Sequence, residues 1–257
     1  MAETQTHLYW TTGCTSCLRA KEFLERNEVP FVSHNVVEDR AILDEMEAQG
    51  LPRQVPIVKR GEDWADAQAL DEVARIAGVD HEADPLPVDE LYRRLDRVLT
   101  AALDYVDLVP EGELATDIPD RPRSIGELTY HLFSIPESFL EHEAGTPLRS
   151  YKPEEEWTNR SPEVLRAYGE YVRVRLHDYF EGSGAERDWD APANVYYGDV
   201  SVNEFFERTT WHAGQHARQL EWVLAEEFGV DVDPIDPATW EGLPMPEKVW
   251  DARDSSH

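Results

Sequence analysis

Cys14 and Cys17 are the only cysteines of the chain. They are spaced as Cys14-Thr15-Ser16-Cys17, directly after the apolar run His7-Leu8-Tyr9-Trp10. A strand that ends in such a pair and runs on into a helix stages thiol–disulfide chemistry. The unpaired N–H groups and partial positive charge of a helix N-terminus favour thiolate on the first cysteine, and the second can resolve a mixed disulfide. A CxxC also serves zinc, but a site of that kind needs a second ligand pair, and the chain carries no further cysteine.

A second group of residues able to do chemistry is built from histidines. His212 and His216 stand four apart in a helical pattern and share its apolar face with Phe205, Thr209 and Val223. His131 lies within another helical stripe, Ile125, Leu128, Leu132, Ile135 and Phe139. Three inward imidazoles are expensive to bury unpaired. A divalent metal would satisfy them together and leave positions open for water or substrate; three imidazoles suit zinc or nickel, without a choice between them. Taken singly, each of these histidines reads as a core or surface residue, so the constellation carries the inference. Tyr130, Trp211 and Arg218 flank the three and fit ordinary packing or surface charge as well as a pocket lining. Gln215 turns away from the metal on its helical angle, and His142 and His177 read as surface residues.

The elements that must position these groups fall into two kinds. Residues 6–78 alternate strand and helix signals: strands over 7–10, 31–36, 56–59 and 62–65, helices over 15–27, 40–49 and 68–77, with Gly78 as a helix stop. The pattern is βαβαββα, an α/β layer. The acidic, proline-bearing stretch to Pro87 reads as a linker. Beyond it the period becomes helical. Leu91, Leu95, Val98, Ala102 and Tyr105 mark a first long helix; Ser124-Ile125-Gly126-Glu127 is a capping box opening a second, which Pro136 should kink. Ser161-Pro162 opens a third with the stripe Val164, Tyr168, Tyr171, Val172 and Tyr179. Ser201-Val202-Asn203-Glu204, another capping box, opens a fourth that runs to about Phe228. Four such helices without strands between them predict an all-α four-helix bundle. The tail after Gly229, with prolines, Trp240 and Trp250, is expected to strap across it. The expected division is 1–79, a linker over 80–87, and 88–257.

The chain of 257 residues is long enough for two domains with real cores. Its net charge is −29, and its four lysines are Lys21, Lys59, Lys152 and Lys248. Such a surface repels nucleic-acid backbones and anionic membranes, so neither is an expected partner. The polar N-terminus, the lack of a membrane-length apolar run and the sparse cysteines point to a cytoplasmic, reducing setting. The acidity fits either a salt-adapted surface or an ordinary acidic protein.

With strand, CxxC, helix and the later Val55-Pro56 together, residues 6–78 resemble a glutaredoxin-like member of the thioredoxin superfamily. The resemblance implies that Cys14 is the nucleophile, Cys17 the resolving thiol, and Val55-Pro56 a cis-proline turn that pairs with an incoming thiol or peptide. Gly61-Glu62-Asp63-Trp64 departs from the Gly-Gly-Asp-like stretch expected after the last strand, and Thr15-Ser16 replaces the usual aromatic between the cysteines. The thiol partner is therefore left open between glutathione, another low-molecular-weight thiol and a protein disulfide. Residues 88–228 resemble the DinB-like family through Ser124–Leu132 and Glu207–His216, which implies metal ligation by His131, His212 and His216. The family includes metal-dependent thiol S-transferases. The combination suggests a thiol–disulfide oxidoreductase domain fused to a metal-binding domain in low-molecular-weight thiol metabolism, by thiol S-transfer or mixed-disulfide reduction. The alternatives are a redox-coupled metal-binding or stress-sensing module whose bundle is not catalytic, and a bundle that serves as a homodimer platform. If the acidity is a salt adaptation, the melting temperature rises from dilute buffer to molar salt as carboxylate repulsion is screened. A melting temperature indifferent to salt leaves an ordinary acidic surface.

Overall fold

Strand β1 (Thr6–Trp10) pairs in parallel with β2 (Phe31–Asn35) and antiparallel with β3 (Ile57–Arg60), which pairs antiparallel with β4 (Asp63–Asp66). These strands form a four-stranded sheet of order β2-β1-β3-β4 in a computed structural model that describes residues 5–118, 123–148 and 161–251. Successive side chains of a strand point to opposite faces. Leu8 and Val58 accordingly meet Phe23 and Leu24 of α1 (Thr15–Arg26) and Val73 of α3 (Leu70–Ala77), while Tyr9 and Ile57 meet Met46 of α2 (Ala41–Ala48). Gly78, in the left-handed conformation at φ 77°, stops α3 as its position predicted. The α/β βαβαββα arrangement is thioredoxin-like.

The chain divides into two compact units, Met1–Asp84 with Pro246–His257, and Pro85–Met245. The tail therefore departs from the expected strap. Its earlier part does stay with the helical unit: the Tyr105 hydroxyl donates to the Asp233 carbonyl at 3.0 Å, and the Trp240 ring fills the space a side chain at Gly214 would need. From Pro246 it belongs to the first unit. There the Glu22 carboxylate on α1 is buried, which raises its pKa, and it accepts the backbone N–H groups of Glu247 and Lys248 at 2.7 and 3.1 Å. A buried carboxylate needs such donors, and nothing local in the sequence announces that Glu22 is buried.

The second unit holds α4 (Val88–Leu108), α5 (Ile125–Glu143), α6 (Pro162–Glu181) and α7 (Val202–Trp222). Helices α4 and α5 each pack against both α6 and α7. Both capping boxes form: Ser124 and Ser201 each accept from the backbone N–H three residues on, and Glu127 and Glu204 accept from the serine N–H in return. Helix α5 runs on through Pro136. Helix α7 ends six residues before Phe228 and passes into a π-helical turn, Val223–Glu227. No helix among the described residues is long and apolar enough to cross a membrane.

Two expectations fail here. A short hairpin, β5 (Pro192–Val195) with β6 (Gly198–Ser201), lies between α6 and α7, where no strand was expected. Its strands, Pro-Ala-Asn-Val and Gly-Asp-Val-Ser, are built mostly from residues that favour turns over strands. The buried stripe of α6 is Leu165, Gly169, Val172 and Leu176, whereas Val164 and Tyr171 are exposed. A glycine adds nothing to a hydrophobic pattern, yet at Gly169 there is no room for a side chain: a Cβ there would lie 2.6 Å from the Phe133 ring and 2.8 Å from Leu103. Gly169→Val is expected to destabilise the helical unit by about 1–3 kcal/mol through overpacking, read as a lower urea midpoint. An unchanged midpoint would count against this close approach.

Candidate functional site

The first cluster sits where β1 gives way to α1. Cys14 is the N-cap of α1, and its Sγ accepts the Cys17 backbone N–H at 3.1 Å. The two cysteines are joined as a disulfide, Cys17 fully buried and Cys14 partly exposed. This asymmetry suits an attacking outer thiol and a resolving inner one. The first turn of α1 carries no acidic residue to oppose a thiolate. Asp251 does place a carboxylate near the loop, accepting the Gly13 N–H at 3.0 Å.

The Val55–Pro56 peptide bond is cis, as the resemblance implied. Because the register pairs Tyr9 with Ile57, this turn leaves the sheet at the edge where β1 enters the cysteine loop. Pro56 is buried, and its carbonyl accepts the Ala67 N–H at 2.9 Å. Gly61–Trp64 belongs to the β3–β4 turn and to β4 itself, so it is not the segment that follows the last strand. That segment is Ala67-Gln68, beginning from Asp66 at the end of β4. Asp66 accepts from the Gln68 N–H and from the Gln54 amide, and Gln68 holds Ser16 and Arg19 of α1. These polar contacts, none of them marked by a motif, join the cis-proline turn to the cysteine helix.

The second cluster lies between α5 and α7. These helices run antiparallel: Phe139 packs on Phe205 and Phe206, and His131 faces His212 and His216. One nitrogen from each of the three histidines lies within 4.8 Å of the others. The ring centroids are 4.9 to 5.5 Å apart, and the Nε2 atoms of His212 and His216 are 3.2 Å apart. Burial, reinforced by the nearby Arg208 guanidinium and the other two imidazoles, holds the His212 pKa well below its ordinary 6.5. Neutral imidazoles are the form that binds metal. The His212 Nδ1 is sealed from solvent without a hydrogen-bond partner. Three convergent nitrogen donors with no carboxylate among them fit a borderline divalent ion, so the group could hold a metal.

Among the flanking residues, Trp211 and Tyr130 are buried, with the Trp211 ring 5.6 Å from that of His212 and Tyr130 stacked on Tyr168. Arg218 donates to Gln215, which faces inward and is fully buried. His142 is not a free surface residue: its Nε2 lies 3.2 Å from the Asn194 carbonyl of the unforeseen hairpin, and its ring meets Phe205 edge-on. His177 is exposed, as expected. Gln219 belongs to no motif of the sequence. Its carbonyl is 2.7 Å from the His216 Nδ1, and the signal for it was its place three residues on along the same helix face.

The depressed His212 pKa has a consequence for stability. The unfolded chain protonates this group near 6.5, whereas the folded chain resists doing so until a lower pH. With a chelator present, stability should therefore be level above about pH 6.5 and decline below it, by up to about 1.4 kcal/mol per pH unit. Melts of the native chain and of His212→Gln between pH 7.5 and 5 check this. Equal slopes in the two would remove His212 as the cause.

Both clusters lie within residues that match known family models. Residues 7–63 match the glutaredoxin family model and residues 94–220 the DinB superfamily model. The chain is also similar to the global transcriptional regulator Spx of Bacillus subtilis (strain 168), with 27% identity over 89 residues, 35% of this chain and 62% of that protein. For Spx of Staphylococcus aureus (strain Mu50) the identity is 26% over 85 residues, 33% and 59% of the two lengths. The chain thus spans less than two thirds of these curated relatives. From residues to family models the description is consistent: this chain joins a glutaredoxin domain to a domain of the DinB superfamily.

Proposed function

We propose that the chain is a two-site thiol enzyme whose first unit reduces disulfides and whose second unit binds a divalent metal for low-molecular-weight thiol chemistry. The observation that carries the reading is the Cys14–Cys17 pair at the head of α1, with its outer sulfur capped by a helix amide and its inner sulfur buried. In the reduced protein the Cys14 thiolate attacks one sulfur of a substrate disulfide. The substrate S–S bond breaks, and the departing half leaves as a thiol after taking up a proton. The Cys17 thiolate then attacks the Cys14 Sγ, expels the second half as a thiol and closes the Cys14–Cys17 bond. Two electrons pass from the pair to the substrate, and an external thiol restores the pair. Val55-Pro56 offers backbone groups against which the incoming chain or thiol lies. In the second unit His131, His212 and His216 would hold zinc or nickel. Such an ion, when bound, lowers the pKa of a thiol at an open position. Trp211 is buried beside the cluster, its ring 5.6 Å from that of His212. The partners of this reading are a small thiol or a protein disulfide.

The similarity to Spx, whose name describes a global transcriptional regulator, favours a second reading. In it the cysteine pair reports redox state to a protein partner, and the helical unit senses or stores metal without catalysis. The two differ in turnover. Cys14→Ser is expected to abolish reduction of a fluorescent mixed disulfide, with Cys17→Ser trapping the mixed disulfide as a stable mass adduct. Identical behaviour of the two variants would overturn the assigned roles. The native chain should carry about one metal per molecule, and the triple variant His131→Ala, His212→Ala, His216→Ala none. Stoichiometric oxidation without turnover, beside normal metal content, would select the sensor.

A further inference from the structure

His216 and Gln219 are both almost fully buried in α7, and the His216 Nδ1 meets the Gln219 Oε1 at 2.7 Å. An amide carbonyl only accepts, so this contact requires the proton on Nδ1. The His216 Nε2 then presents its lone pair to the 3.2 Å gap that separates it from the His212 Nε2. That gap has room for one proton, which must come from His212. His212 is differently placed: its Nδ1 is buried with no hydrogen-bond partner, so nothing at that atom selects its tautomer. Of the two histidines on α7, one is therefore set in advance and the other is adjustable.

We propose that Gln219 is the positioning residue of the histidine cluster, an outer partner that holds His216 in the tautomer and ring orientation a metal requires; this rests on the metal-binding reading above. A histidine whose second nitrogen is held in this way enters coordination without a proton rearrangement and without searching ring rotamers. His212, lacking such a partner, must move its single proton from Nε2 to Nδ1 before Nε2 can bind an ion. The helix makes the arrangement possible because residues three apart lie on neighbouring parts of one face. Its burial keeps water from substituting for the amide.

The test uses the full chain with histidine labelled with 15N. Long-range proton–nitrogen correlation of the metal-free protein reports the tautomer, and competition with a chromophoric chelator reports zinc affinity. In the native chain His216 should be the Nδ1–H form. Gln219→Leu, which keeps the volume and removes the acceptor, should lose that preference and bind zinc about 10–100-fold more weakly. Gln219→Glu, which restores an accepting oxygen, should return both readouts towards native. A purely structural glutamine would move neither the tautomer nor its rescue. An Nε2–H His216 in the native chain overturns the role of Gln219 without any variant, so the test survives a Gln219→Leu that fails to fold. Native tautomer and affinity in a folded Gln219→Leu also overturn it. Absence of zinc uptake by the native chain, whatever its tautomer, sinks the metal reading itself.

Discussion

Helices α5 and α7 lie antiparallel with Phe139 seated between Phe205 and Phe206, and this relative phase is the constraint on which the histidine cluster depends. One residue of slip rotates an α-helix by about 100°, enough to turn His131 out of the space that His212 and His216 face. The capping boxes at Ser124 and Ser201 define where each helix begins, and the aromatic layer defines how the two register. Gly169 has the same role at one remove: lacking a side chain, it lets α6 close on Phe133, which keeps α5 in place against its neighbours.

The cysteine pair depends on a helix in a different way. Cys14 is the cap itself, so the amide that would otherwise be unpaired at the start of α1 is satisfied by the reactive sulfur. Partial charge at a helix N-terminus and charge-assisted hydrogen bonding then act on one atom. The carboxylate of Asp251 on the adjacent Gly13 amide works against this, since it brings negative charge to the same loop.

Much of this organisation was legible beforehand because it rests on local physics. Strand alternation, the two capping boxes, the CxxC and the His212–His216 spacing each need only a few neighbouring residues to be recognised, and the elements they predicted are present. The misses share a cause as well. Val164 and Tyr171 fit an apolar stripe of α6 yet are exposed, whereas the buried line passes through Gly169, a residue that carries no hydrophobic signal. The β5–β6 hairpin is composed largely of turn-forming residues and so gives no strand signal, and its Asn194 carbonyl meets His142. Gln219 and Glu22 are polar residues in helices, and such residues are normally solvated.

Residue order alone therefore settled most element types, the fold class of each part and the spacing of the cysteines and histidines, since periodicity, capping and spacing act within about ten to twenty residues of chain. Tertiary structure decided which polar groups are buried and with whom. Glu22 meets the amides of Glu247 and Lys248, His216 meets Gln219, and His131 meets two histidines some eighty residues away. Burial is a property of packing between distant segments, and the cost of leaving a buried polar group unpaired makes those distant pairings part of each site.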